Sequence, residues 1–263
     1  MERLAAHDRI VVMGAAGLIA LCAALYTVFG IGMQMTAAEM TAMARPLGQP
    51  MQMGAPPVWT SQYAALIFLM WWVMMIAMMT PSAAPVLLLF TAVKKSGPDA
   101  ARAARLSLVF LSGYLLAWGG FSAIAAALQW GVEATGLSEG PMMTLRSRLL
   151  AGGLLAAAGL YQLTPLKQAC LEHCKSPAQF LALHARPGAR GALLTGMHHG
   201  AYCLGCCWAL MALLFAGGIM NLYWIAGLAL YVLAEKLLPG GLWFSRITGW
   251  LLLAAGLWVM TAS

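Results

Sequence analysis

The chain of 263 residues is 62% hydrophobic and only 9% charged, where a soluble domain carries roughly a quarter charged residues, so a soluble globular fold is excluded. Its formal charge of +7 at pH 7 does not mark a nucleic-acid partner, because the cations cluster in short segments between apolar runs and no nucleic-acid motif accompanies them. A backbone in lipid must satisfy its own hydrogen bonds, and long apolar runs without strand-like alternation select an all-α polytopic transmembrane bundle over a barrel.

A helix needs ~20 apolar residues to cross the hydrocarbon core. On that basis seven spans are predicted within a single integral membrane domain, 1–263: residues 10–31, 64–90, 106–130, 149–163, 192–216, 219–234 and 247–261. The first follows Arg3 and Arg9, as a signal peptide would. Its apolar run is longer than a signal core and no small-residue cleavage site follows, so an anchor is expected. With the N-terminus inside, the inner segments hold Arg3, Arg9, Lys94, Lys95, Arg102, Arg105, Lys167, Lys175, Arg186, Arg190, Lys236 and Arg246. The outer segments hold only Arg45, Arg146 and Arg148. This positive-inside bias favours an odd number of spans with the C-terminus outside.

Two segments are predicted to lie outside the spans. Residues 32–58 form an outer loop rich in methionine, with Met33, Met35, Met40, Met43, Met51 and Met53. Such a loop either gathers copper or is an ordinary flexible connection. Residues 165–190 form an inner segment whose middle suits a short helix along the membrane surface. Cys170 and Cys174 are four apart there, so a helix sets both thiols on one face. They read either as a cytosolic soft-metal site or as two reduced surface thiols.

The second span contains "WWVMMIAMMTPSAAP". Met70, Met74 and Met78 share one face, with Met75 and Met79 on the adjacent one. Pro81 and Pro85 remove backbone donors and predict a kink beside this cluster. The fifth span contains "HHGAYCLGCCWALM", with two of the five His and three of the six Cys. His199 and Cys203 are four apart, and Cys203 lies three and four residues from Cys206 and Cys207. Cys207 and Met211 are again four apart. One helical stripe therefore presents imidazole, thiols and a thioether, while His198 is one step round. Ionisable groups in lipid are costly and usually face the bundle interior. By residue count, Met74, Met75, Met78 and Met79 lie level with Cys203, Cys206 and Cys207. Thiolate with thioether is the soft donor set that selects Cu(I), and imidazole also suits zinc and Cu(II). Taken alone, the methionine stripe also fits simple packing. Glu235 and Lys236 close the sixth span and predict an ion pair with each other or with a neighbouring helix; Asn221 predicts a helix cap.

Three stretches together, "WWVMMIAMMTPSAAP" at 71–85, "CLEHCKSPAQFL" at 170–181 and the Cys-x-x-Cys-Cys-Trp region at 196–240, resemble the family of predicted metal-binding integral membrane proteins, a domain of unknown function. The resemblance covers about residues 60–260. It implies a metal site at Cys203, Cys206 and Cys207 with His199 or His198, and names neither the metal nor a reaction.

The expected function is copper handling by an integral membrane protein, as transport, storage or delivery, with zinc as the other candidate ion. The candidate ligands are His198, His199, Cys203, Cys206, Cys207, Met74, Met75, Met78, Met79, Cys170 and Cys174. No catalytic constellation is read. The expected surroundings are a lipid bilayer, in the bacterial inner membrane, with a metal chaperone or a membrane complex as partner. Two other classes stay open: a thiol redox protein cycling Cys203 and Cys206 with a quinone or a partner, and an accessory subunit of a larger assembly, holding haem through His198 or His199. The cation distribution predicts that single cysteines introduced at Gly48 and Ser176 label from opposite sides of the membrane. Labelling of both from one side would remove the seven-span, N-inside arrangement.

Overall fold

The computed structural model describes residues 2–31, 33, 35–44, 58–139, 144–145 and 147–261. The helices are α1 (Glu2–Phe29), α2 (Ala37–Ala42), α3 (Ser61–Lys95), α4 (Ala103–Ala134), α5 (Arg148–Gln162), α6 (Pro165–Lys175), α7 (Pro177–His184), α8 (Gly188–Ala212), α9 (Leu214–Gly217), α10 (Leu222–Leu237) and α11 (Gly241–Thr261). A two-residue antiparallel ladder, Ser138–Glu139 with Thr144–Leu145, closes the turn after α4. The all-α helical bundle expected from the composition is the observed architecture.

The span count differs from seven. Among the described residues, five helices are long and apolar enough to cross a membrane, or six if α5 and α6, bent by 64°, form one span. The bend has a local cause. Thr164 is extended and its side chain accepts from the Lys167 amide, so it caps a new helix that begins at Pro165. The residue before a proline is steered out of the α region, and a first-turn proline loses no hydrogen bond. Helix α10 has 16 residues and is too short to count alone. It ends where Pro239, Gly240 and Gly241 break the chain, with Gly240 at φ 84°. Asn221 is the N-cap of α10, its side chain accepting from the Tyr223 amide at 3.0 Å, as expected.

Helix ends meet in two groups. Asp8 of α1 pairs with Lys95 of α3, and the Lys94 ammonium donates to the Arg186 carbonyl just before α8 at 3.0 Å. At the far end of α3, the Trp59 indole donates to Glu133 near the end of α4 at 2.7 Å. Helix α3 runs as one helix through Pro81 and Pro85. In the segment before α3, Thr36 and Glu39 form a capping box on α2, an element not read from the sequence. Thr41 anchors it, accepting from the Leu222 amide at 2.9 Å. Met40 is buried there. Met51, Met53, Gly48, Arg45 and Arg146 lie outside the described residues.

The segment expected to hold a short helix along the membrane surface forms two, α6 and α7, which pack against α8. Cys170 abuts Gly205, where an added Cβ would sit 2.6 Å from its sulfur. His173 stacks on Tyr202 with centroids 4.4 Å apart, Phe180 meets His199, and Thr195 donates to the His184 carbonyl at 3.0 Å.

Glycines set the closest helix contacts, as small residues do in membrane bundles. A Cβ at Gly196 would collide with the Phe110 carbonyl, and one at Gly113 with the Leu193 carbonyl, so α4 and α8 touch backbone to backbone. Helices α5 and α11 do the same, with Gly159 against Gly249 and Gly152 against Gly256. Gly159→Val should therefore separate α5 from α11 and cost about 1–3 kcal/mol, read as an earlier unfolding midpoint of the detergent-solubilised protein. Gly153→Val, whose Cβ meets nothing, should leave the midpoint in place; equal effects would refute the tight seam.

Candidate metal centre

Helix α8 places its chemistry by period. His199, Cys203, Cys206 and Cys207 are all buried among the helices, while His198 is exposed. Cys206 and Cys207 each donate back to the Cys203 carbonyl, at 3.1 and 2.7 Å. The Cys203 sulfur points instead towards α10, where the Lys236 ammonium donates to it at 2.9 Å and to the Ser82 hydroxyl of α3 at 3.1 Å. The Tyr114 hydroxyl of α4 lies 3.2 Å from the same sulfur and donates to the Met79 carbonyl at 3.0 Å. Four helices, α3, α4, α8 and α10, thus converge on Cys203.

Helix α6 adds to this group. The Cys174 sulfur sits 3.9 Å from that of Cys206. Lys167, fully buried, donates to the Cys206 carbonyl. It also pairs with Glu235 at 2.7 Å, both side chains at 0% exposure. The expected ion pair of Glu235 is thus made with a neighbouring helix, not with Lys236, and it is buried rather than interfacial. Lys167 and Lys236 are inside the protein and carry no weight as surface charges in the topology count.

The structure brings together Cys174, Cys203, Cys206 and Cys207, with His199 one turn along α8 and Cys170 against Gly205. His199 is 2% exposed and walled by Phe110, Tyr114 and Phe180. Its Nδ1 has no hydrogen-bond partner among the described residues. A buried ring nitrogen without a partner is costly and leaves a donor atom in hand. Met74, Met75, Met78 and Met79 are buried on α3, and the Tyr114 bridge sets the Met79 carbonyl beside Cys203. His198 faces the His184 ring of α7 instead, with centroids 5.8 Å apart. Among the described residues, no three His, Cys, Asp or Glu side chains are already arranged as a coordination site.

Three residues at this centre were not candidates from sequence. Tyr114 sits in an ordinary apolar run and gives no signal. Lys167 and Lys236 were read as inner-segment cations. Lys236 offers the one usable signal: it follows an acid at a span end and lies on the same side of α10 as Val232, a position otherwise buried.

A family model described as "Copper chaperone" matches residues 68–259. That range takes in the methionine face of α3, Tyr114, Lys167, both cysteine groups and Lys236. Comparison with curated proteins and with solved structures returns no match.

Breaking a buried ion pair from one side strands a charge and costs about 3–5 kcal/mol. Lys167→Met should therefore lower unfolding stability by that order in detergent. The double change Lys167→Met with Glu235→Met removes both charges and should recover most of it. A double variant no more stable than the single one would show that Lys167 acts through the Cys206 carbonyl alone.

Proposed function

The chain belongs to the copper chaperone family, and from that premise we propose that it holds Cu(I) in transit inside the bacterial inner membrane, on thiols of α6 and α8, and delivers it to a copper-requiring partner. The observation that carries this reading is the Cys174–Cys206 pair, two sulfurs from different helices 3.9 Å apart in a buried setting with Lys236 beside Cys203. Two metal–sulfur bonds of about 2.3 Å span at most ~4.6 Å when linear. The observed separation is shorter, which fits a bent site with room for a third donor. Neutral donors suit that third place, namely His199 and the thioethers of Met74, Met75, Met78 and Met79, while Cys207 and Cys203, the latter held by Lys236, flank it.

The charges favour Cu(I). The thiolate is the form that binds metal. Two thiolates and Cu(I) carry one net negative charge, and the Lys236 ammonium cancels it. Zinc with the same two thiolates is neutral and would leave Lys236 uncompensated. In a buried site, net charge is what costs most. Lys167 and Glu235 cancel each other and leave this balance untouched. Thioethers push the same way, since they prefer the softer ion. Tyr114, Ser82 and Lys236 orient the Cys203 sulfur.

A thiol redox reading, expected for Cys203 and Cys206, draws on the same observation, since Cys174 and Cys206 lie 3.9 Å apart. It predicts a reversible disulfide and no metal requirement.

Purified protein should bind about one Cu(I) per chain at this centre, measured by competition with a chromogenic Cu(I) chelator. Replacing Cys174, Cys203 and Cys206 together by Ser should abolish that site. Lys236→Met should weaken Cu(I) by about tenfold or more while zinc changes little; Lys236→Arg should restore most of it. Met78→Leu tests the thioether: Cu(I) affinity falls and zinc affinity holds if Met78 is a ligand. Full Cu(I) occupancy in the triple Cys variant would refute the thiol site. Wild-type protein that forms a Cys174–Cys206 disulfide and binds no Cu(I) would favour the redox reading.

A further inference from the structure

The seam between α8 and the α6–α7 pair carries a graded series of side chains. On α8, His198, Tyr202 and Cys206 are four residues apart, so they share one face. Opposite them stand His184, His173 and Cys174. His184 and His198 have centroids 5.8 Å apart with rings at 88°. His173 lies flat on Tyr202, centroids 4.4 Å apart. Cys174 and Cys206 end the series at 3.9 Å. The thiol end is buried at Cys206, and the imidazole end opens outward, with His198 exposed.

His184 is prepared as a ligand. Its Nδ1 donates to the Phe180 carbonyl at 3.1 Å, and Phe180 stacks on its ring. A backbone bond to one ring nitrogen fixes the ring and leaves the lone pair of the other, Nε2, for a metal. His198 approaches that ring from α8. With metal–nitrogen bonds of about 2 Å, two imidazoles on one ion can stand about as far apart as these rings, whose centroids are 5.8 Å apart.

We propose that His184 and His198 form a second, lower-affinity copper site, at which Cu(I) docks before it passes along the seam to the thiols. This rests on the thiol-site reading for its destination but not for its existence. The passage is an exchange of ligands: imidazole nitrogens leave the ion, thiolate sulfurs replace them, each thiol that binds releases its proton to solvent, and copper stays Cu(I) throughout. Two neutral imidazoles form a weaker site than two thiolates for this soft ion, so the series runs downhill from the exposed end to the buried one.

The test uses the full chain in lipid nanodiscs, with Cu(I) as the probe. In protein with Cys170, Cys174, Cys203, Cys206 and Cys207 all replaced by Ser, about one Cu(I) should remain bound with micromolar-range affinity. Adding His184→Ala and His198→Ala should weaken it by about tenfold or more, while His173→Ala should not. With the cysteines intact, the same His pair of changes should leave the equilibrium affinity of the thiol site unchanged and slow its loading from a Cu(I) donor by about tenfold. Because His198 is exposed, His198→Ala alone serves as the variant least able to disturb folding, and it should slow loading in the same direction. Thiol-free protein that binds no Cu(I), or binding and loading that ignore both His changes, would overturn the proposal. Cu(I) held by the histidines in a protein whose thiols prove inert would instead sink the thiol reading and leave this site standing.

Discussion

The contact on which the architecture turns is the ion pair between Lys167 and Glu235, made at 2.7 Å with neither side chain exposed. It ties the first turn of α6 to the last turn of α10. Through the Lys167 bond to the Cys206 carbonyl, it ties both to the middle of α8. Neither charge is tolerable alone in this interior. The two helix ends are therefore held together wherever the bundle is folded. Lys236, the next residue on α10, is carried by the same turn to Cys203 and Ser82. The cluster of thiols gains from this arrangement, which works with Cys170 against Gly205 and His173 on Tyr202 to hold α6 along α8 and bring Cys174 to Cys206.

Much of the frame can be read from the residues because lipid imposes a simple rule of length and polarity. The helical character of every predicted span follows from it, and so does the shared face of His199, Cys203, Cys206 and Cys207. Asn221 is legible as a cap because its side chain competes for the same amides everywhere. The course of 165–187 is not legible in that way. Its charges and three prolines resemble a surface segment, and it is tertiary pairing, of Lys167 with Glu235, 68 residues apart, and of His173 with Tyr202, that turns it inward. Tyr114 is silent for a related reason. A tyrosine among leucines looks like packing until another helix brings a sulfur to its hydroxyl. The cations fail as topology markers wherever burial, and not the bilayer surface, decides their place.

Close helix contact matters as much as the polar bonds. Gly113 and Gly196 let α4 and α8 touch at the backbone, and Gly200 continues the contact against Tyr114 and Ala117. Only at that distance can a hydroxyl on α4 reach both Cys203 on α8 and the Met79 carbonyl on α3. Ser82 donates to the same carbonyl at 2.9 Å while accepting from Lys236. The methionine face and the thiols are thereby held in register by hydrogen bonds, whatever the methionine side chains do.

The brevity of α10 has a consequence for the surrounding lipid. Sixteen residues rise about 24 Å, short of a hydrocarbon core of about 30 Å. Helix α5, at 15 residues, falls shorter still, and the two are joined through Tyr231 and Gln162 at 2.9 Å. Helix α11, at 21 residues, packs on α5 and is long enough to cross, so the mismatch with the bilayer is confined to the lipid-facing side of α10. A change of acyl-chain length would therefore strain the bundle at α10 first, with no change in the protein.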